Sequence, residues 1–364
     1  MEFFDRDSEI AYMKRILEQY PRRIIFVYGP INSGKTALIV ELLNRLDKEK
    51  FLPFYFNLRE FQLSKYEDFV DLFFMVKNGF KGLLESLKLH STPSVTFAGI
   101  VTIKIPISKE DFSLIRSSNR PEDAFSYIKA YFVHLVSHGL RPILVLDELQ
   151  MMRGVKYNGL LLDQLFNFFV SLTKETHLAH VVAVTSDCLF IEHVYGVARL
   201  EGRVEYIKID DLDKDRAREL YENLELPKGR FEFVWGYLGG KINDYLALEM
   251  EYRAGMEIDV ALERMLRDEM NRLLYLLMQF SYKEVRYVDE DGSEYRIEEE
   301  RVKETLKFFV EKEEGDVIDF DFATLRYLIK ENILFFDPVE GIVRPQSRLV
   351  HRAIKDLKLD GGQI

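Results

Sequence analysis

The apolar run Ile24-Ile25-Phe26-Val27-Tyr28 follows Arg22-Arg23 and leads straight into a glycine loop, the pattern of a buried parallel strand. Ala37 to Arg45 then reads as a helix. The alternation recurs, with strands expected at Phe54-Tyr55-Phe56, Ile143 to Leu146, Val181 to Val184 and Val204 to Ile209, and a helix from Tyr66 to Met75. Strands alternating with helices imply an α/β domain over residues 1–205, with a mostly parallel sheet covered on both faces. In such a sheet the ligand site lies at the carboxyl ends of the strands. One segment interrupts the alternation. Val95 to Ile105, β-branched around Gly99, predicts a small hairpin ahead of a helix that opens near Pro121.

Past Ile209 the pattern turns helical. Asp213 to Asn223, Phe231 to Leu238 and Asn243 to Tyr252 are separated by Pro227-Lys228-Gly229 and Gly239-Gly240, which marks a helical lid over 206–256. From 257 to 364 helices are expected near Leu262 to Phe280, Glu298 to Val310 and Phe322 to Glu331. Two short strands follow within 333–344, and helices followed by such a hairpin suggest a winged helix.

Composition narrows the class. With 364 residues, 47% hydrophobic and 30% charged, the chain can bury a sizeable core in two or three domains. Its single cysteine, Cys188, rules out an intrachain disulfide and a cysteine-based zinc cluster, which fits a reducing cytoplasm. The start of the sequence is acidic where a secretory signal would be basic, and no apolar stretch is long enough for a membrane span. A net charge of −11 argues against a diffuse basic surface for nucleic acid.

Residues 29–36, Gly-Pro-Ile-Asn-Ser-Gly-Lys-Thr, match the phosphate-loop pattern between a strand and a helix. Gly29, Pro30, Ile31, Asn32, Ser33, Gly34, Lys35, Thr36 and the adjoining Ala37 are the expected cradle for ATP or ADP. Backbone N–H groups curl around the β-phosphate, and the helix that follows points its positive end at the same group. Lys35 supplies a mobile cation to the β- and γ-phosphates, and Thr36 a hydroxyl to magnesium. Ile143-Leu144-Val145-Leu146 end in Asp147-Glu148, which places Asp147 to hold magnesium through water and Glu148 to polarise an attacking water. Thr185-Ser186-Asp187 end the next strand. Ser186 is the expected γ-phosphate contact if that strand neighbours the one ending at Asp147, and capping of the helix near Cys188 is the competing role.

Four stretches together resemble the archaeal ATPase family, an AAA+-like branch of the P-loop NTPases related to the STAND signalling ATPases. They are Phe3 to Glu9, the loop at 29–36, Leu146 to Gln150, and Ala198 to Arg203. The resemblance implies a P-loop parallel sheet with helical lid and carboxyl-terminal winged-helix domain. It also implies that Phe4 and Arg6 lie against the adenine, and that Arg199 or Arg203 senses the γ-phosphate. Such roles suit an aromatic ring and guanidinium planes. Family members carry Gly-Gly-x-Pro in the lid, whereas Gly239-Gly240-Lys241-Ile242 lacks the proline.

The expected activity is hydrolysis of ATP to ADP and phosphate, slow, and serving a nucleotide-dependent switch. A DNA-binding regulator resembling replication initiators, with nucleotide as a structural ligand, is the alternative, and nucleotide-dependent self-association is a third. Residues 257–364 hold 17 Lys and Arg against 25 Asp and Glu, a balance of −8 that suits DNA poorly. Arg344, Arg348, Arg352, Lys355 and Lys358 are nonetheless expected on one helical face, a stripe for phosphates or for an acidic protein partner. His134 and His138 have a zinc-helix spacing without the glutamate a zinc protease needs, and are expected to be structural.

Overall fold

Ile24–Tyr28 (β1) is buried at every position because it has a parallel neighbour on each side, β8 (His180–Val184) and β9 (Val204–Lys208). The computed structural model describes residues 4 and 6–357 apart from 61–62, 77–94, 98–99, 103, 119, 154, 156–160, 197–199 and 290–291, with backbone alone for 95–97, 100–102 and 195. Two compact units emerge. One holds Met1–Tyr28, Lys35–Ser186 and Val194–Lys208, the other Gly29–Gly34, Asp187–His193 and Ile209–Ile364.

The first unit is built on a five-stranded parallel sheet in the order β2-β7-β8-β1-β9, where β2 is Phe51–Asn57 and β7 is Arg141–Asp147. β1 and β8 are buried at successive residues, so both faces of the sheet are covered. Its helices are α1 (Asp7–Glu18), α2 (Lys35–Asn44), α3 (Tyr66–Phe73), α4 (Lys109–Ser118), α5 (Pro121–Ser137) and α6 (Leu161–Val170). Pro121 sits in the first turn of α5, where a missing N–H costs nothing. Aromatic pairs fasten helices to strands and to one another: Phe54 of β2 lies 5.2 Å from Phe132 of α5, and Phe125 stacks on Phe168 at 4.6 Å. Each such ring contributes about 2–3 kcal/mol through burial.

Two short pairings account for the interruption seen in the sequence. β4 (Val95–Phe97) and β5 (Ile100–Thr102) form the expected antiparallel hairpin. Ile105 leaves it for β6 (Ile105–Ile107), which pairs in parallel with β3 (Phe74–Val76). That pairing also ends α3 at Phe73, short of the expected Met75.

The second unit opens with helices α8 (Lys214–Asn223), α9 (Phe231–Leu238) and α10 (Ile242–Arg253); α7 (Cys188–Gly196) begins in the 187–193 segment. Asp213 caps α8 by accepting the Arg216 N–H. The long α11 (Ile258–Met278) precedes a hairpin of β10 (Arg286–Val288) and β11 (Glu294–Arg296). Then come α12 (Glu299–Glu311), β12 (Gly315–Asp316), α13 (Phe322–Lys330), β13 (Leu334–Asp337), β14 (Ile342–Pro345) and α14 (Arg348–Asp356), with a sheet ordered β12-β14-β13. The order is thus helix, strand, helix, hairpin, with a single 3-10 turn, Val317–Asp319, between β12 and α13.

One expectation about this domain needs correction. Arg344 belongs to strand β14, so it is not on a helical face with the other basic residues. It is ion-paired with Asp210, while Arg348 and Arg352 lie over the rings of Trp235 and Tyr237 of α9; Lys358 is outside the described residues. Helix α13 buries Thr324, Leu325, Tyr327, Leu328 and Ile329. Its Arg326 is stacked on Phe322 and paired with Glu192. Among the described residues no helix is long and apolar enough to cross a membrane.

Candidate functional site

The loop after β1 turns in conformations that most residues avoid: Gly29 has φ 149°, Asn32 φ 61° and Gly34 φ 90°. Gly29 is required for a second reason, since a Cβ there would stand 2.1 Å from the carbonyl oxygen of Ile209. Within the loop Ser33 N–H donates to Pro30 C=O, and Ser33 is fully buried while Asn32 is exposed. Helix α2 begins at Lys35, which is buried, with Thr36 half-buried and Ala37 exposed. A curled loop entering the first turn of a helix presents the N–H groups and partial positive charge that suit phosphate.

In the first unit, Asp147 closes β7 and is almost completely buried. Register places Asn57 of β2 and Val184 of β8 beside it, so the carboxyl ends of three strands are level. Three donors hold its carboxylate: Thr36 Oγ1 at 2.7 Å, Tyr55 OH at 2.8 Å and the Glu148 N–H at 2.9 Å. Burial, and then the charge of Asp147, push the Tyr55 hydroxyl far above the usual tyrosine range, so it stays a neutral donor.

Glu148 follows in a left-handed conformation, φ 59°, and is also buried. Such a backbone is uncommon for glutamate and is found where a side chain must be aimed. Its Oε2 accepts from Arg59 Nη2 at 2.8 Å and from Gln150 Nε2 at 2.5 Å. The amide oxygen of Gln150 in turn accepts from Thr185 Oγ1 at 2.7 Å, just past the end of β8. A relay therefore runs from Arg59 through Glu148 and Gln150 to Thr185.

Other expected site residues fall elsewhere. Phe4 is half-buried just ahead of α1; Arg6 is buried with φ 73° at the cap of that helix and pairs with Glu9 at 3.0 Å. Ser186 is half-buried beyond β8, and that strand does neighbour β7. Arg203 precedes β9 and accepts the Ile24 N–H through its carbonyl, so it stands at the amino end of β1, opposite the loop. Five residues of strand put about 16 Å between those ends. Arg203 is thus at the amino end of its own sheet, and Arg199 lies outside the described residues. The rings of His134 and His138 lie 4.3 Å apart, tilted by 56°, and among the described residues no cluster of His, Cys, Asp or Glu is arranged to hold a metal.

Tyr55, Arg59, Gln150, Thr185 and Lys241 are the neighbours that sequence reasoning missed. Gln150 and Thr185 flank motifs already singled out, whereas Tyr55 and Arg59 reach Asp147 and Glu148 only because β2 pairs with β7.

Comparison with known proteins accords with this arrangement. Residues 3–248 match the model of an ATPase domain predominantly from Archaea, and residues 259–357 match the C-terminal domain of MJ1010-like ATP-binding proteins. An ATP-binding protein of Methanocaldococcus jannaschii is 38% identical over 98% of both chains. One from Pyrococcus abyssi is 38% identical over 97% of this chain and 98% of its own. Among solved structures, a Walker-type ATPase of Pyrococcus abyssi aligns with a TM-score of 0.63 at 16% identity, covering 97% of this chain and 96% of that one. The ORC2 protein of Aeropyrum pernix aligns at 0.51 and 13% identity, covering 97% and 95%. Those two likenesses speak for the fold. The family models and the relatives above 30% identity carry the assignment: the chain is a member of the archaeal ATPase family, an ATP-binding P-loop ATPase with a distinct carboxyl-terminal domain.

Proposed function

We propose that the chain is a slow ATPase that acts as a nucleotide-dependent switch, its bound state read out through the carboxyl-terminal domain. The observation that carries the slow rate is the engagement of Glu148, whose Oε2 already accepts from both Arg59 and Gln150. A carboxylate that must draw a proton from water has to be turned toward that water, and the two bonds on Oε2 fix the direction in which this one points. The switch reading is supported by the grouping of Gly29–Gly34 with residues 209–364 and by the Lys241 hydrogen bond to the Ile31 carbonyl.

In the roles assigned here, Gly29 to Ala37 cradle the nucleotide phosphates and Lys35 balances the charge of the β- and γ-phosphates. Thr36 and Asp147 hold magnesium, the hydroxyl directly and the carboxylate through water. A hydroxyl and a carboxylate 2.7 Å apart are the hard oxygen donors that this ion takes, and it keeps several waters besides. Bound magnesium supplies charge neutralisation on the phosphates. Glu148, once released, orients and polarises the attacking water; Phe4 and Arg6 receive the adenine, and Ser186 meets the γ-phosphate. Arg203, standing at the far end of β1, would reach a γ-phosphate only on a second copy, as would fit nucleotide-dependent self-association. The same role is left to Arg199 as the alternative.

Purified chain supplied with ATP and magnesium is expected to release phosphate slowly, and Lys35→Ala to lose both nucleotide binding and release. Arg59→Ala, which removes the cationic one of the two donors on Glu148 and leaves Gln150, is expected to raise turnover by about threefold to tenfold. A wild-type chain without magnesium-dependent release, alongside a Lys35→Ala variant that still binds ATP, would overturn the proposal.

A further inference from the structure

Lys241 stands at the cap of helix α10, in the Gly-Gly turn where the family's proline is missing one residue later. It is one of the few buried lysines in the chain, 4% exposed. Its ammonium lies 2.9 Å from the backbone carbonyl oxygen of Ile31, inside the phosphate loop, and 3.0 Å from Oδ1 of Asp211. Gly240 keeps this turn close to Asp211: a Cβ on it would stand 1.8 Å from the Leu212 carbonyl oxygen, and the Leu212 N–H donates to Gly240 C=O at 2.9 Å.

Burying an ammonium costs several kcal/mol unless it is paired and hydrogen-bonded. A fold that keeps one here, on a loop carbonyl, gets a defined peptide orientation in return. The peptide between Ile31 and Asn32 is planar and trans, so its C=O and N–H point in opposite directions. With the carbonyl drawn to Lys241, the Asn32 N–H is turned away from the ammonium. Asn32 itself has φ 61° and lies between Gly29 and Gly34, both with positive φ. A segment with three such conformations has little local preference to hold its shape, and a fixed cation outside it sets the direction of its dipoles.

We infer that Lys241 is a positioning residue for nucleotide binding: clamped by Asp211, it fixes the 31–32 peptide so that the Asn32 N–H is presented to the β-phosphate. This rests on the reading that Gly29 to Thr36 hold the phosphates, and it makes a lid side chain part of the loop's preorganisation. Because the β-phosphate is common to ATP and ADP, both nucleotides depend on it. Lys241 touches the loop rather than the reacting atoms, so the effect falls on affinity and KM far more than on kcat.

The test is titration of ATP and of ADP, with magnesium, into the full chain and into Lys241→Met, Lys241→Arg and Asp211→Asn, with thermal melting and steady-state kinetics on each. Lys241→Met is expected to weaken both nucleotides by about tenfold or more and raise KM in step, with kcat within about twofold. Lys241→Arg should recover most of the affinity, and Asp211→Asn should lose part of it. Hydrogen exchange at residues 30–34 of the nucleotide-free protein should quicken in Lys241→Met. Unchanged affinity in Lys241→Met overturns the inference. So does a loss that Lys241→Arg fails to recover while melting falls equally in both, since that is packing alone. Should Lys241→Met not fold, Asp211→Asn decides by the same affinity and exchange criteria. Failure here leaves wild-type turnover and the Lys35→Ala result intact, which separates it from failure of the proposed function.

Discussion

Asp147 shows how one buried carboxylate is held and aimed. Its three donors come from three places, the phosphate-loop helix (Thr36), strand β2 (Tyr55) and the next backbone N–H (Glu148). In the magnesium site proposed above, Thr36 would turn its oxygen toward the ion, which leaves Tyr55 and the backbone to hold Asp147. Tyr55→Phe removes the phenolic bond with little change of shape, a loss of about 1.5–3 kcal/mol for a bond to a charged group. The expected outcome is that the magnesium concentration for half-maximal ATP turnover rises roughly threefold to tenfold, while nucleotide affinity without metal stays the same. Equal weakening in both conditions would assign Tyr55 to packing only. Lys35, Thr36, Asp147 and Glu148 were legible in the sequence because contiguous motifs carry them. Tyr55, Arg59 and Lys241 were not, because each acts on a residue roughly 90 to 210 positions away through a contact that only the fold creates.

At the scale of elements, the strands were readable wherever an apolar run ended in a turn or a charge, as at Tyr28 and Asp147. Their order was not, since no local signal says that β2 pairs with β7 rather than with β1. Helix α6 was missed although its pattern carries the signal: Asp163, Gln164 and Asn167 fall on one face at helical spacing, and the other residues of Leu161–Val170 are buried. The lid helices were legible, yet the charge network at their start was not. Asp244, in the first turn of α10, is pushed up to about 7, by burial first, against the lowering effect of Lys241, with Asp211 and Glu269 adding to the rise. The folded value lies above the unfolded one, so the folded state binds the proton more tightly. Stability from this group is full below about pH 4 and is lost as pH climbs toward 7. Asp244→Asn has no proton to lose, so its melting temperature relative to wild type should improve between pH 5 and pH 8. A difference that stays constant across that range would show that Asp244 titrates as an ordinary carboxylate.

For the molecule as a whole, the question left by the fold is what the carboxyl-terminal domain meets. A winged helix invites the expectation of duplex DNA, and residues 257–364 test that expectation with their own charges: 17 basic against 25 acidic. DNA affinity comes largely from counterion release as Lys and Arg neutralise phosphates, so each missing or paired cation lowers both affinity and its dependence on salt. The helix that would enter the groove buries most of its length, and its Arg326 is already bridged to Glu192. Arg344 is paired with Asp210, and Arg348 and Arg352 are spread over the rings of α9. Arg344, Arg348 and Arg352 are thus engaged by this same unit, while Lys355 is exposed and Lys358 lies outside the described residues. Mixed-sequence duplex DNA titrated at several salt concentrations, with ADP and with a non-hydrolysable ATP analogue, should show affinity no tighter than the nonspecific range of about 10⁻⁴ M and a shallow salt slope. A protein partner with a basic surface then becomes the occupant that the charge favours, because it would meet the net acidic charge of residues 257–364 without displacing those arginines. Tight binding with a steep slope, lost in Arg348→Glu and Arg352→Glu, would reverse that assignment and show that these two side chains leave Trp235 and Tyr237 to reach phosphate.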